Sequence, residues 1–215
     1  MKFLELKELD FGSIEPLLFD DVFINRLKKL DKICHHFHLS LQSGCNETLK
    51  RMNRRYTIEQ FEQIVQNLRK VYDDVMLTTD IIVGFPGETE EEFSNTYEFL
   101  KRIKFYKMHI FKYSIREGTK AALMKNQVLD VDKEKRSKKL IQLSEDNQIF
   151  YNKKYIGKNV DVLIEEKENE WYKGHTDNYL LVKTKSENDI INNIISAKVE
   201  KVENEELIAN CVTKM

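Results

Sequence analysis

Four short apolar runs, each followed by a longer stretch with the 3.6-residue period of a helix, occupy residues 1–154 and leave few folds open. This alternation predicts repeated βα units around a parallel sheet. The expected strands are 3–9, 36–41, 75–83 and 107–113. In the third, Val75-Met76-Leu77 and Ile81-Ile82-Val83 flank a Thr-rich centre, the nearly continuous apolar run of a strand buried on both faces. A helix is expected after each strand. Pro16 suits a first helical turn, with Leu17, Leu18, Val22, Ile24, Leu27 and Leu30 as the apolar face behind it. Thr57-Ile58-Glu59-Gln60 and Thr89-Glu90-Glu91-Glu92 each read as a capping box, in which the first side chain caps a backbone N–H and the fourth reaches back. A solvated helix rich in Lys and Glu is expected over 132–153.

Past residue 155 the period falls to two. Val160, Val162 and Ile164 alternate with polar residues, and 179–183 and 194–202 follow, broken by Gly, Asn and Asp. About 60 residues with four or five short strands suit a compact OB-like barrel. The domain boundary is therefore expected at 154, giving domains 1–154 and 155–215.

Composition narrows the function classes. With 33% charged and 41% hydrophobic residues the chain reads as soluble and globular, and no window approaches the 18 apolar residues of a membrane span. The N-terminus lacks the apolar run of a signal peptide, so a cytoplasmic protein is expected. The net charge of −1 removes the simplest argument for nucleic-acid binding. Residues 1–154 carry 27 basic and 24 acidic side chains, and 155–215 carry 8 and 12. Cys34, Cys45 and Cys211 show no CxxC or CxxxCxxC spacing, so neither a disulfide framework nor a metal or cluster site is readable.

Chemistry-bearing residues gather where strands should end. Asp80-Ile81-Ile82-Val83-Gly84-Phe85-Pro86-Gly87-Glu88-Thr89 turns from strand to helix without the Lys of a Walker loop or a GxGxxG. It reads either as a tight turn capped by Thr89 or as a flat platform for a planar ligand. Gln42 and Ser43 would project from the same sheet edge as Gly84 and Phe85. Lys50, Arg51, Arg54 and Arg55 form a basic run, a solvated face or a carboxylate-binding site through Arg54 or Arg55. His36 and His38 should share one strand face and His35 the other, in structural roles rather than as a metal cluster. Gly174-His175-Thr176-Asp177-Asn178-Tyr179 reads as an Asx-type turn whose aromatic neighbours, Trp171, Tyr172 and Tyr179, could stack on bases.

Gly12-Ser13-Ile14-Glu15-Pro16, HFHLSLQSG, LKRMNRRYT, TTDIIVGFPGETEEEF, FKYSIREGT and GHTDNY together resemble, in the same order, the C-terminal two-thirds of the radical SAM tRNA methylthiotransferases. Ser40 before LQSG, with QSGC and KRMNRRYT, looks most like the subfamily acting on threonylcarbamoyladenosine beside the anticodon. The isopentenyladenosine and ribosomal-protein enzymes are the close competitors. The resemblance implies a partial (β/α) barrel that lacks its first strands and binds S-adenosylmethionine, followed by a TRAM barrel that grips the tRNA anticodon stem-loop. By the same resemblance Gln42 and Ser43 meet the cofactor's ribose and methionine end, and Val83, Gly84 and Phe85 lie against adenine with Tyr113 on the last strand. Arg54, or failing that Arg55, holds the carboxylate and Glu15 the ammonium group. Trp171, His175, Asn178 and Tyr179 are the RNA-binding candidates.

This sequence departs from the family in lacking the cysteines of both [4Fe–4S] clusters, and Asp10 stands where relatives usually have Arg. Reductive cleavage of the cofactor needs an electron from an iron that it chelates. The expectation is therefore a fragment, inactive alone, whose partner is the missing N-terminal half of the enzyme. The alternatives are a non-enzymatic RNA-binding adapter, which the −4 charge of 155–215 disfavours, and a gene remnant without a function.

Overall fold

A computed structural model describes residues 8–212. Strands β1 (Leu9–Ile14), β2 (Ile33–Leu39), β3 (Met76–Val83) and β4 (Lys107–Lys112) form one parallel sheet in the order β1-β2-β3-β4. Between them lie α1 (Asp21–Leu27), α2 (Asn46–Arg51), α3 (Ile58–Val71) and α4 (Glu90–Ile103), and α5 (Asp130–Lys153) follows β4.

Both expected capping boxes start helices. Thr57 Oγ1 accepts from Gln60 N and Gln60 Oε1 from Thr57 N, and Thr89 and Glu92 repeat the exchange. Behind these caps Phe61, Ile64, Val65 and Leu68 on α3, and Phe93, Phe99, Leu100 and Ile103 on α4, sit three and four residues apart and are buried against the sheet. Each such side chain contributes ~1.5–3 kcal/mol on burial. Phe37, Leu39, Leu77, Ile81 and Val83 answer them from the sheet.

Three expectations are corrected. The first strand lies at Leu9–Ile14 rather than 3–9; residues 3–7 are outside the described residues. It pairs with β2 through two register shifts, an irregular edge that alternation in the sequence does not reveal. The segment after Pro16 breaks into a 3₁₀ turn (Pro16–Leu18) and then α1, capped by Asp20 through Phe23 N at 2.7 Å. The break resets the helical phase, so Phe19, Ile24 and Leu27 turn inward while Leu17, Leu18, Val22 and Leu30 are exposed. Helix α5 buries a polar face, including Lys133, Arg136, Ser144, Asn147 and Asn152, which a hydrophobic pattern cannot signal.

Strands β5 (Asn159–Glu168), β6 (Trp171–His175), β7 (Leu181–Thr184), β8 (Ile194–Glu203) and β9 (Glu206–Cys211) close a barrel in the order β5-β6-β7-β9-β8. Val162, Ile164, Tyr172, Val182, Val199 and Leu207 fill it. Gly174 is required where β5 shifts register: a Cβ there would stand 1.9 Å from Leu163 O. Met76 and Tyr106 of the sheet domain join the barrel's apolar cluster. Asn178, buried, donates to Asp74 O at 3.1 Å and to Tyr155 Oη at 2.7 Å, and Asn152 Nδ2 donates to Glu205 O at 2.8 Å. The barrel is thus docked under the amino ends of the strands.

Candidate functional site

In open α/β sheets ligands bind beyond the carboxyl ends of the strands. Here Glu15 follows β1, Gln42 follows β2, Gly84 and Phe85 follow β3, and Tyr113 follows β4. The Gln42 turn is tightly built. Tyr56 Oη donates to Ser40 O at 2.7 Å and Leu41 O at 3.1 Å, and burial pushes its hydroxyl up to about 12. Gln42 N donates to Asp80 O at 2.8 Å and Gln42 O accepts from Ile82 N at 2.9 Å, which holds Gln42 at φ 69. A non-glycine residue in the left-handed region is held there by its surroundings, and such positions cluster at ligand sites.

Gln42, Asp80, Ile82, Phe85, Phe111, Tyr113, Ser114 and Arg116 line a cleft of ≈ 460 Å³. That volume suits a nucleoside-sized ligand. Phe85 and Tyr113 meet edge-to-face at 5.3 Å between centroids, and Tyr113 Oη is buried without a hydrogen-bond partner. An unmade bond at a buried hydroxyl is costly, and a ligand in the cleft would supply it.

The eight cofactor candidates divide three ways. Gln42, Phe85 and Tyr113 line the cleft. Ser43, Val83 and Gly84 stand behind it: Ser43 Oγ is 3.2 Å from Thr96 Oγ1, Val83 O accepts from Tyr113 N, and Gly84 N donates to Glu88 Oε2 at 3.0 Å. A side chain on Gly84 would strike Lys133 of α5 rather than enter an adenine plane. Glu15 and Arg54 line a second depression with Asn53 and Arg55, Arg54 Nη1 lying 3.9 Å from Glu15 Oε2.

Asp80 and Arg116 were missed by sequence reasoning. Asp80 belongs to a chain of polar groups on the inner sheet face. Asp10 Oδ1 is 2.9 Å from His36 Nδ1, and His36 Nε2 is 2.9 Å from Thr78 Oγ1. His38 Nδ1 is 3.0 Å from the same hydroxyl, and its Nε2 is 3.1 Å from Asp80 Oδ2. The period of two in His36/His38 and Thr78/Asp80 carried that signal. On the opposite face His35 Nδ1 is 3.0 Å from Asp74 Oδ1 and 3.7 Å from Asp177 Oδ2. Each of the three histidines therefore meets a carboxylate distant in sequence, which local spacing did not reveal.

The RNA candidates are placed unevenly. His175 and Tyr179 stack at 4.5 Å, and Tyr179 stacks on His36 at 4.3 Å, so these rings join barrel to sheet. Trp171 is half-buried under the Lys185 ammonium at 4.5 Å. Asn178 is placed otherwise than expected: it is buried, and its amide bonds across the domain junction to Asp74 O and Tyr155 Oη.

The cleft fits S-adenosylmethionine through its aromatic walls, Gln42 and the unpaired Tyr113 hydroxyl. An iron–sulfur cluster does not fit the described residues. Cys34 lies on β2, Cys45 precedes α2 and Cys211 ends β9. Burial pushes the Cys34 thiol up to about 12, and burial with a hydrogen bond to Glu47 at 3.0 Å raises Cys45. Protonated, dispersed thiols do not gather a cluster.

Residues 8–100 match the family model of the Radical SAM superfamily. The chain is 41% identical over 201 residues to the threonylcarbamoyladenosine tRNA methylthiotransferase MtaB of Bacillus subtilis (strain 168), an alignment covering 91% of this chain and 45% of that protein. It is 36% identical over 196 residues to the tRNA-2-methylthio-N(6)-dimethylallyladenosine synthase of Caldicellulosiruptor saccharolyticus, covering 90% and 42%. The chain thus spans less than half the length of these relatives. Coproporphyrinogen III oxidase (HemN) from Escherichia coli, described as a radical SAM enzyme, shares the fold with a TM-score of 0.56 at 12% identity, over 91% of this chain and 46% of that one.

Proposed function

We propose, from the premise that this chain is a homologue of radical SAM tRNA methylthiotransferases, that it forms the cofactor-binding cleft and RNA-side barrel of such an enzyme in the cytoplasm. The substrate is N6-threonylcarbamoyladenosine beside the tRNA anticodon, and the five-stranded barrel is a TRAM domain. The observation that carries the reading is the convergence of Gln42, Phe85 and Tyr113, from the ends of β2, β3 and β4, on one cleft.

S-adenosylmethionine bound there would supply the methyl and radical chemistry of the reaction. The chain's own residues bind and orient. Phe85, Ile82 and Phe111 offer apolar walls to the adenine, and Tyr113 Oη offers a hydrogen bond. Arg54 takes the carboxylate and Glu15 the ammonium group of the methionine end. The described residues group no thiolates for a cluster, so the role read for this chain is to bind and orient the cofactor.

The test is to delete the coding region for this chain in its source organism and analyse tRNA hydrolysates by mass spectrometry. Loss of the methylthio group from N6-threonylcarbamoyladenosine is expected. Loss from the dimethylallyl nucleoside instead would reassign the substrate, and an unchanged nucleoside profile would contradict the reading.

A further inference from the structure

The geometry points to a second RNA contact, remote from the cleft: a cationic corner of Arg69, Lys104, Lys154 and Lys158, with Lys104 and Lys154 on the Phe150 ring, which binds the phosphate backbone of the RNA stem. The inference rests on the tRNA reading above and deepens it.

Three helix carboxyl ends meet at this corner. Arg69 stands in the last turn of α3, Lys104 caps α4 in the left-handed conformation at φ 53, and Lys154 caps α5. Helix carboxyl ends favour cations, which is the ordinary explanation for one basic group at each. Arg69 fills that role by donating to Ile103 O at 2.7 Å and Lys104 O at 3.1 Å. The lysines are left over. Lys104 and Lys154 Nζ lie 4.4 and 4.3 Å from the centroid of the exposed Phe150 ring, and Lys154 is 4.7 Å from that of Tyr151. Among the described residues none of the four cations forms a salt bridge.

Burial and then repulsion from Lys104, Arg69 and Lys158 lower Lys154 from its ordinary value, the response of a cation crowded by like charge. Asp74 also faces Lys158, but its carboxylate already bonds to His35. Unpaired cations held together by the fold are an electrostatic footprint for a polyanion, and the exposed Phe150 ring among them suits nucleic acid. Residues 155–215, with 8 basic and 12 acidic side chains, supply few cations for phosphate, so an RNA held by the barrel needs further phosphate contacts from the sheet domain.

The position fixes which part of the RNA arrives. Helices run antiparallel to the strands they connect, so their carboxyl ends lie at the opposite end of the sheet from the cleft. The eight residues of β3 at about 3.3 Å each separate the two ends by roughly 26 Å. A nucleotide in the cleft and a phosphate at this corner therefore belong to loop and stem of one hairpin.

Fluorescence anisotropy with a labelled anticodon hairpin, over a salt series, tests the inference on the full chain. Lys104→Glu/Lys154→Glu should weaken binding tenfold or more and lower the salt slope by about two, one for each phosphate contact. Lys154→Arg should bind like the unmodified chain. Lys28→Glu/Lys29→Glu, an equal charge reversal at the end of α1, should leave binding within about twofold of the unmodified chain. Equal loss from both reversals, or none from the first, overturns the surface. Loss of binding to phosphatidylserine vesicles with RNA affinity unchanged would assign the corner to a membrane and overturn it too. An RNA contact that responds to the lysines in a chain that binds no S-adenosylhomocysteine keeps the surface and removes the cofactor reading.

Discussion

Arg136 Nη1 donates to Glu88 Oε1 at 2.8 Å, and both side chains are almost fully buried. Glu88 also takes the Gly84 N–H, and Arg136 reaches Glu88 O at 3.2 Å, so the pair ties the loop after β3 to α5. A buried ion pair adds little net stability, but removing one partner strands the other charge.

Arg136→Ala should therefore cost about 3–5 kcal/mol at neutral pH. Burial raises the Glu88 carboxyl above its ordinary value even with Arg136 beside it. A carboxyl raised on folding favours the folded state at low pH and loses that advantage as pH rises through its folded value. Without Arg136 the carboxyl rises further, so the penalty should shrink on acidification as Glu88 takes a proton. Urea unfolding of both proteins from about pH 7 to 4.5 checks this; a penalty independent of pH would contradict it.

Gly84 has φ 72, and an added Cβ would lie 2.3 Å from Lys133 Cγ. Gly84→Ala should destabilise by about 1–2 kcal/mol from backbone strain alone, with a further steric cost. Calorimetry should find that adding Lys133→Ala recovers the steric part and leaves the backbone part. Full recovery would show that the left-handed conformation is not costly here.

The α/β alternation was legible because period and capping chemistry are local. Thr57-Gln60 and Thr89-Glu92 state their helices in four residues each, and the apolar third strand could hardly be anything else. The restart of α1 had a local signal, the N-cap Asp20, which the apolar pattern over 17–30 obscured, whereas nothing near 130–153 says that Arg136 will find the distant Glu88. The site was legible as strand ends, through Gln42, Phe85 and Tyr113. Asn178 misled because a turn rich in hydrogen-bonding groups looks alike whether it meets RNA or another domain.

Asn178 spans the domain junction with bonds to Asp74 O and Tyr155 Oη. Asn178→Ala removes two part-buried hydrogen bonds, a cost of about 0.5–1.5 kcal/mol each. Hydrogen exchange should show lost protection at the 176–180 turn and around Asp74, with the centres of α3 and α4 unchanged. Uniform loss across both domains would mean that the bonds act on the whole fold.

His35 is raised, chiefly by its hydrogen bond to Asp74, and Asp74 is lowered, chiefly by the same bond. The histidine's contribution is complete below about pH 6.5 and is lost as pH rises through its folded value. The aspartate's is present above about pH 3.8 and is lost on acidification. The pair should stabilise most between those limits. The gap in urea midpoint between the unmodified chain and His35→Gln should narrow from about pH 6 to 8.5, and a constant gap would contradict the coupling.

The central claim is that the cleft beyond the strand ends holds an S-adenosyl ligand. Saturation-transfer NMR with S-adenosylhomocysteine measures this on the chain itself, without a cluster. The unmodified chain and Lys139→Ala, on the exposed side of α5, should give equal signals from the adenine and ribose protons. Tyr113→Phe, losing one hydrogen bond of about 0.5–1.5 kcal/mol, should weaken binding roughly two- to tenfold. Phe111→Ala, a change at an exposed cleft wall, should also weaken it. Signals of equal strength from all four proteins, or no signal from the unmodified chain at millimolar ligand, would contradict the assignment of the cleft.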